Sequence, residues 1–248
     1  MLNGQVAAIT GGLGDIGRAI ALELALQGAD ISVADVHDDA GTLPAEIEAL
    51  GQRLHYERCD VGNREQVARW LHATEAALDL PTIVVPNAAV VTLGSALDTD
   101  PVDWERQLRV NLTGGYHTAQ LAARRLVAAQ RSGRIVFVGS WAAHAPDPSI
   151  LAYCAAKAGL RMLMKCLAKE LAPHGILVNE VAPGYVDAGV SAQVFRDQPG
   201  RRAACEERVP VRRLIDPREV AHQVVHLVDP RVRHTTGSVL LMDGGLSL

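Results

Sequence analysis

The sequence predicts a parallel α/β domain, with seven strands in one sheet and helices on both of its faces. Three observations predict it. Short runs rich in Val and Ile alternate with longer stretches of helical period. Most of these runs are apolar throughout, as strands covered on both faces must be. The first run ends in a glycine-rich turn that opens a helix. A chain of 248 residues suits one domain, and residues 1–248 read as a single unit without linker, repeat or low-complexity tract.

The strands are expected at Val6–Thr10, Ile31–Asp35, Leu54–Cys59, Thr82–Pro86, Arg134–Gly139, Leu177–Val181 and Val239–Met242. Helical stretches begin near Gly14, Leu43, Arg64, Pro101, Ile150 and Pro217. Asp100-Pro101 supplies an N-cap and a first-turn proline, with Asp103 and Glu105 on the positive helix end. Asp216-Pro217 repeats the device with Glu219, and Asn63 precedes Glu65 and Gln66 in the same manner. The helix ending at Leu171 is stopped by Pro173 and Gly175. Residues 188–214 interrupt the rhythm with a long, polar, charged segment, the pattern of a substrate-binding lid.

Hydrophobic residues make up 48% and charged residues 21%, which excludes a wholly disordered chain. A net charge of −4 speaks against a nucleic-acid or acidic-membrane partner. Cys59, Cys154, Cys166 and Cys205 form no CxxC pair and no zinc spacing, which suits a reduced compartment. The nine histidines are scattered without an HExxH motif, and no metal is expected. No apolar run nears the roughly 20 residues of a membrane span, and no signal-type leader opens the chain. The expectation is a cytoplasmic protein without nucleic-acid or membrane partners.

Gly11, Gly12, Leu13, Gly14, Asp15, Ile16 and Gly17 link the first strand to its helix. Such a turn aims helix N–H groups and the helix dipole at an anion, usually phosphate; the bland alternative is a flexible turn. Asp35 ends the second strand 18 residues beyond Gly17, near the spacing of about 20 for a carboxylate that accepts both hydroxyls of an adenosine ribose. A 2′-phosphate would meet like charge there. With no Arg or Lys from Gly11 to Asp15, and Val36 after Asp35, the expected cofactor is NAD rather than NADP. Asp35 reads alternatively as a capping residue of a turn.

Tyr153 and Lys157 stand four apart in Tyr-Cys-Ala-Ala-Lys, on one helix face. A free phenol has a pKa of about 10, and a nearby ammonium favours the phenolate. Such a tyrosine can take a proton from an alcohol or return one to a carbonyl. Lysine occurs elsewhere only at 165 and 169, which gives the pair weight over an amphipathic helix with a surface lysine. Ser140 follows a strand and precedes Tyr153 by 13 residues. Asn111, in an otherwise apolar stretch, is either functional or a satisfied core amide.

These residues resemble the short-chain dehydrogenase/reductase family, classical type, from end to end. Its fingerprint is Thr-Gly-x-x-x-Gly-x-Gly; Thr10, Gly11 and Gly17 fit, Asp15 occupies the middle glycine's place and Gly14 comes one residue early. The resemblance implies a single Rossmann-like domain with a seven-stranded parallel sheet, forming a homotetramer or dimer. It implies Tyr153 as acid/base, Ser140 as the group that orients the substrate oxygen, and Lys157 as ribose ligand and tuner of Tyr153. Asn111 would support a water relay. It extends the cofactor contacts to Thr10, Gly11, Gly14, Asp15, Ile16, Gly17, Asp35, Asp60, Val61, Asn87, Lys157, Pro183, Gly184 and Val186. Asp60 would meet the adenine amino group and Val186 the carboxamide. Pro86, Ala89 and Ala188 depart from the family pattern, and Asp15 and Ala188 are expected to weaken cofactor binding.

The substrate pocket is expected to include Ser140, Trp141, His144 and Tyr185, with Val90, Val91, Leu93, Val190 and Phe195 nearby. Arg196, Arg201, Arg202, Arg208, Arg212 and Arg213 would either hold an anionic substrate or form a solvated lid surface. The implied activity is hydride transfer between NAD and a small-molecule secondary alcohol or its ketone. The alcohol could be a sugar, polyol, hydroxy acid, steroid or aromatic alcohol. Alternatives are a carbonyl or 3-oxoacyl reductase, a nucleotide-sugar epimerase, and a non-catalytic nucleotide-binding oligomer.

Overall fold

A seven-stranded parallel sheet organises the computed structural model, in the order β3-β2-β1-β4-β5-β6-β7. The structure describes residues 1–189, 191–192, 195 and 200–248. The strands are β1 (Val6–Thr10), β2 (Asp30–Asp35), β3 (Leu54–Arg58), β4 (Ile83–Val85), β5 (Gly133–Val138), β6 (Ile176–Pro183) and β7 (Val239–Met242). All seven expected strands are present. Their ends shift by up to two residues: β6 grows to eight residues, and β4 shrinks to three.

The helices are α1 (Asp15–Leu26), α2 (Leu43–Ala49), α3 (Arg64–Ala77), α4 (Pro101–Leu108), α5 (Gly115–Ala128), α6 (Leu151–Leu171), α7 (Arg201–Arg208) and α8 (Pro217–Val228). The expected caps form. Asp100 accepts from Val102 N, Asn63 from Glu65 N and Gln66 N, and Asp216 with Glu219 makes a full capping box. Past α6, a 3₁₀ turn at Ala172–His174 ends in Gly175 at φ +70°. The stretch expected as one helix from Pro101 is three: α4 passes through a π-helical segment, Arg109–Gly114, into α5.

Two hydrophobic layers sandwich the sheet. Ile20, Leu24, Val220 and Val224 bring α1 and α8 onto one face. Trp70, Leu126, Leu160 and Met164 bring α3, α5 and α6 onto the other. The continuously apolar strands, such as β1 and β4 with every residue buried, are the sequence record of this double cover. Strand order reverses between β1 and β4. Crossovers leave opposite faces there, so their carboxyl ends part and open a crevice for a ligand.

Candidate active site

A cleft of about 860 Å³ opens at those carboxyl ends. At one end stands the glycine turn. Gly11 holds φ +64°, and a Cβ on Gly17 would overlap the Gly11 carbonyl, so only glycine lets α1 approach this closely. Gly14 is the N-cap of α1. Thr10 lies under the turn rather than on the cleft wall. Its Oγ1 accepts from Asn87 N at 3.0 Å and Ala88 N at 3.2 Å, tying β1 to the chain after β4. Asn87 Nδ2 donates to the carbonyls of Thr10 and Gly11, both at 3.0 Å. It lines the cleft while its amide braces the turn.

Asp35 is buried at the cleft edge. Its Oδ2 accepts from Leu13 N at 3.0 Å; its Oδ1 accepts from Val36 N at 2.8 Å and lies 2.6 Å from His37 Nδ1. It caps its own turn, as the alternative reading has it, and also presents a carboxylate to the cleft. Asp60 lines the wall beside it, with Val61. Arg109 Nη1 donates to Asp60 Oδ2 at 2.6 Å, a charge partner that sequence spacing does not announce.

Asp15, in the place of the family's middle glycine, turns its carboxylate to the 188–214 segment. Its Oδ2 accepts from Gly189 N at 2.8 Å, which fastens the start of the 188–214 segment to the head of α1. Its carboxylate also suits the positive helix end.

At the other end are Ser140, Tyr153 and Lys157, the candidate reactive groups. Ser140 ends the β5 loop and caps the 3₁₀ turn Trp141–Ala143, accepting from Ala142 N at 3.1 Å. Tyr153 and Lys157 face the cleft from successive turns of α6. All three are buried except where they meet the cleft. Lys157 Nζ lies 5.5 Å from the centre of the Tyr153 ring and donates to Val138 O at 2.9 Å. Burial pushes the Tyr153 phenol up to about 12, and the Ser140 hydroxyl opposes the shift. Burial pulls the Lys157 ammonium down to about 8, against the attraction of Glu180.

Beneath them lies an ion pair. Arg161 Nη2 donates to Glu180 Oε1 at 2.9 Å and to Ser140 O at 3.1 Å. Gly139 is where it is because a Cβ there would overlap the Glu180 carboxyl.

A family model described as enoyl-(acyl carrier protein) reductase matches residues 12–247. An L-rhamnose 1-dehydrogenase (NAD(P)(+)) of Sphingomonas sp. strain SKA58 is 34% identical over 99% of this chain and 97% of its own. A 3-oxoacyl-(acyl carrier protein) reductase of Aquifex aeolicus is 32% identical over 99% of this chain and 98% of its own. A crystal structure of a short-chain type dehydrogenase/reductase from Mycobacterium marinum superposes with a TM-score of 0.93, at 33% identity, covering 99% of this chain and 96% of that one. The chain is a short-chain dehydrogenase/reductase. It is an oxidoreductase of that family, with the family's single-domain Rossmann-like fold.

Within this short-chain dehydrogenase/reductase the cleft gathers most of the residues singled out from sequence. Gly11, Gly14, Asp15, Ile16, Gly17, Asp35, Asp60, Val61, Asn87, Pro183, Gly184 and Val186 line it, with Ser140, Trp141, Tyr153, Lys157 and Tyr185. Three stand off it. Thr10 is the strut already described. Asn111 lies in the π segment behind Lys157, where its Oδ1 accepts from Val90 N at 2.9 Å and its Nδ2 donates to Val90 O at 2.8 Å. Its amide is satisfied, and it pins the loop after β4. His144 is a correction: the three-residue turn puts Trp141 in the wall, spends His144 N on Trp141 O at 2.7 Å, and leaves His144 off the lining.

Sequence reasoning missed His37, Arg106, Asp147, Ser149 and Cys205, all of which line the cleft. None sits in a recognisable motif; only the meeting of α4, α7 and the stretch before α6 gathers the last four. Of the 188–214 segment, Ser191, Phe195, Arg201 and Cys205 line the cleft; Val190 and Arg196 lie outside the described residues. His222 and His226 stand four apart on α8, but among the described residues no group of three metal-ligating side chains forms. No helix among the described residues is long and apolar enough to cross a membrane.

Proposed function

We propose that this short-chain dehydrogenase/reductase is an NAD-preferring dehydrogenase that acts on a secondary alcohol, as a homo-oligomer in the cytoplasm. One observation carries the chemistry. Ser140, Tyr153 and Lys157 converge on the wall of the same cleft whose far end holds a glycine turn at a helix N-terminus and the Asp35 carboxylate. The fit to a dinucleotide rests on the glycine turn, where the bare Cα of Gly17 lets the N-terminus of α1 close on the Gly11 carbonyl and face the cleft, and on Asp35, whose charge suits ribose hydroxyls and opposes a 2′-phosphate. Gly11, Gly14, Ile16, Gly17, Asp35 and Val61 would hold the adenosine and pyrophosphate, and Lys157, Pro183, Gly184 and Val186 the nicotinamide half. When bound, NAD supplies the hydride acceptor and a positive ring that favours the Tyr153 phenolate.

The protein's own groups do the rest. The Ser140 hydroxyl hydrogen-bonds the substrate oxygen and fixes its direction. Tyr153 Oη takes the hydroxyl proton as the carbonyl forms, and returns it in reduction. The Lys157 ammonium stabilises the phenolate. The two donors also stabilise negative charge that develops on the oxygen. Asn111 acts by position: it shares with Lys157 a second cavity of about 10 Å³, near the size of one water, which suits a relay behind the lysine. Four unpaired cysteines suit a reducing compartment.

A second reading, reduction of a 3-oxoacyl or other carbonyl group, is favoured by the Tyr153 phenol itself, which burial keeps protonated and ready to donate. The test is NADH formation from NAD across polyols, aldoses, hydroxy acids and aromatic alcohols, beside NADP and the reverse reaction. The expected result is turnover with NAD that falls at least a hundredfold in Tyr153→Phe, with NADH binding retained. Turnover unchanged in that variant refutes the mechanism. Turnover only in reduction selects the second reading.

A further inference from the structure

We propose that His37 is a second specificity residue for the cofactor: paired with Asp35, it reads the 2′ position of the adenosine ribose and turns the choice between NAD and NADP with pH. This role rests on the dinucleotide reading above. The Asp35 carboxylate is nearly filled by its own surroundings. Its Oδ1 accepts from Val36 N at 2.8 Å, more weakly from His37 N at 3.4 Å, and lies 2.6 Å from His37 Nδ1. Its Oδ2 accepts from Leu13 N at 3.0 Å. A carboxylate only accepts, so His37 Nδ1 is the donor. Each carboxylate oxygen has about two acceptor sites, so Oδ1 is full and Oδ2 keeps one. Two ribose hydroxyls cannot both end on Asp35 while His37 holds it. The second hydroxyl, or a phosphate in its place, falls to the imidazole, which lines the same edge of the cleft. The ring's Nε2 has no hydrogen bond or ion pair among the described residues.

The ring is held in place from β3. Tyr56 Oη donates to His37 O, and Arg58 Nε donates to Val36 O at 3.1 Å. The other charges at this edge have partners of their own. Asp38 faces Arg58 at 3.2 Å, and Asp39 accepts from Gly41 N at 2.9 Å. On α1, Arg18 is held by Thr42 and Glu46, and in the adjoining wall Arg109 is held by Asp60. With these three guanidiniums paired to carboxylates, His37 is the group that can bring positive charge to a 2′-phosphate. Histidine changes charge between about pH 5 and 8. Neutral, the ring offers Nε2 as an acceptor to a ribose hydroxyl. Protonated, it offers a donor and a charge that offsets Asp35, which favours phosphate. NADP therefore gains on NAD as pH falls.

The experiment titrates NADH and NADPH into the full chain by tryptophan fluorescence from pH 8.5 to 6.0, in phosphate-free buffer at low ionic strength. The ratio of the two Kd values should favour NADH at pH 8.5 and move toward NADPH as pH falls. A 2′-phosphate itself takes up a proton near pH 6. The readout is therefore the shift beyond that of His37→Gln, which has no titrating ring. That excess should be about three- to fivefold, the upper range for an exposed ion pair, because the ring is 70% exposed. His37→Arg, with a fixed charge, should move the pH 8.5 ratio toward NADPH by a similar factor. An equal pH shift in wild type and His37→Gln would remove the role of His37 and leave the dinucleotide reading standing. So would a His37→Arg ratio unchanged from wild type at pH 8.5. No binding of either nucleotide at any pH would remove both.

Discussion

Glu180→Gln changes one atom in the side chain and should be among the most destabilising substitutions in this protein. Glu180 is 1% exposed, on β6 below the reactive groups. Arg161 from α6 meets it through Nε at 3.2 and 3.1 Å and Nη2 at 2.9 Å, with its own side chain 13% exposed. Glutamine keeps the shape and removes the charge, leaving a guanidinium out of water without its counter-charge. Breaking a buried pair from one side costs about 3–5 kcal/mol. For a chain of this length each kcal/mol moves Tm by about 2–4 °C, so the expected loss is about 6–20 °C.

Arg161→Met should cost a similar amount, since it also takes the donor from Ser140 O. Removing both charges in Arg161→Met with Glu180→Leu should cost less than either change alone, because no unpaired charge remains. The assay is calorimetric unfolding of the four proteins at one concentration and pH 7. Two results would refute the reasoning: a shift below about 2 °C in Glu180→Gln, or a double variant that loses the sum of the singles. Glu180 also draws the Lys157 pKa upward, so the single variant should move the pH dependence of turnover through Lys157 toward lower pH.

Two further expectations follow from the cleft. Asp35→Ser should strengthen NADPH binding and weaken NADH binding by about tenfold each, some 1.4 kcal/mol, because it removes like charge from a 2′-phosphate and an acceptor from ribose hydroxyls; an unchanged Kd ratio in fluorescence titration would refute that role. Lys157→Met should lose turnover yet raise Tm at pH 7. The buried ammonium has its folded pKa pulled to about 8 from 10.5, so its charged form is a burden to the fold that is fully present below pH 8. The unfolded chain holds that proton up to the ordinary lysine value, so wild-type stability recovers between pH 8 and about 10.5. The Tm gap between variant and wild type should narrow across that window; a constant gap would show that Lys157 does not titrate there.

The sequence by itself determined what depends on near neighbours in the chain. Apolar runs marked all seven strands because strands buried on both faces need no polar alternation. Asp100, Asp216 and Asn63 announced helix starts because a cap is settled within three residues. Tyr153 and Lys157 share a face because four residues make about one turn. The tertiary structure alone decided the partners. Asp15 meets Gly189 across 174 positions, Asn87 braces a turn 76 positions earlier, and Arg161 finds Glu180 on a strand that pairs with β5. Arg106 and Arg201 enter one cleft from α4 and α7, 95 positions apart in the chain. A helix or a cap is selected by local hydrogen bonds. Partners this distant in sequence are selected by crossovers that pack each helix on one face of the sheet, which is why the candidate site residues were legible in the chain and many of their partners were not.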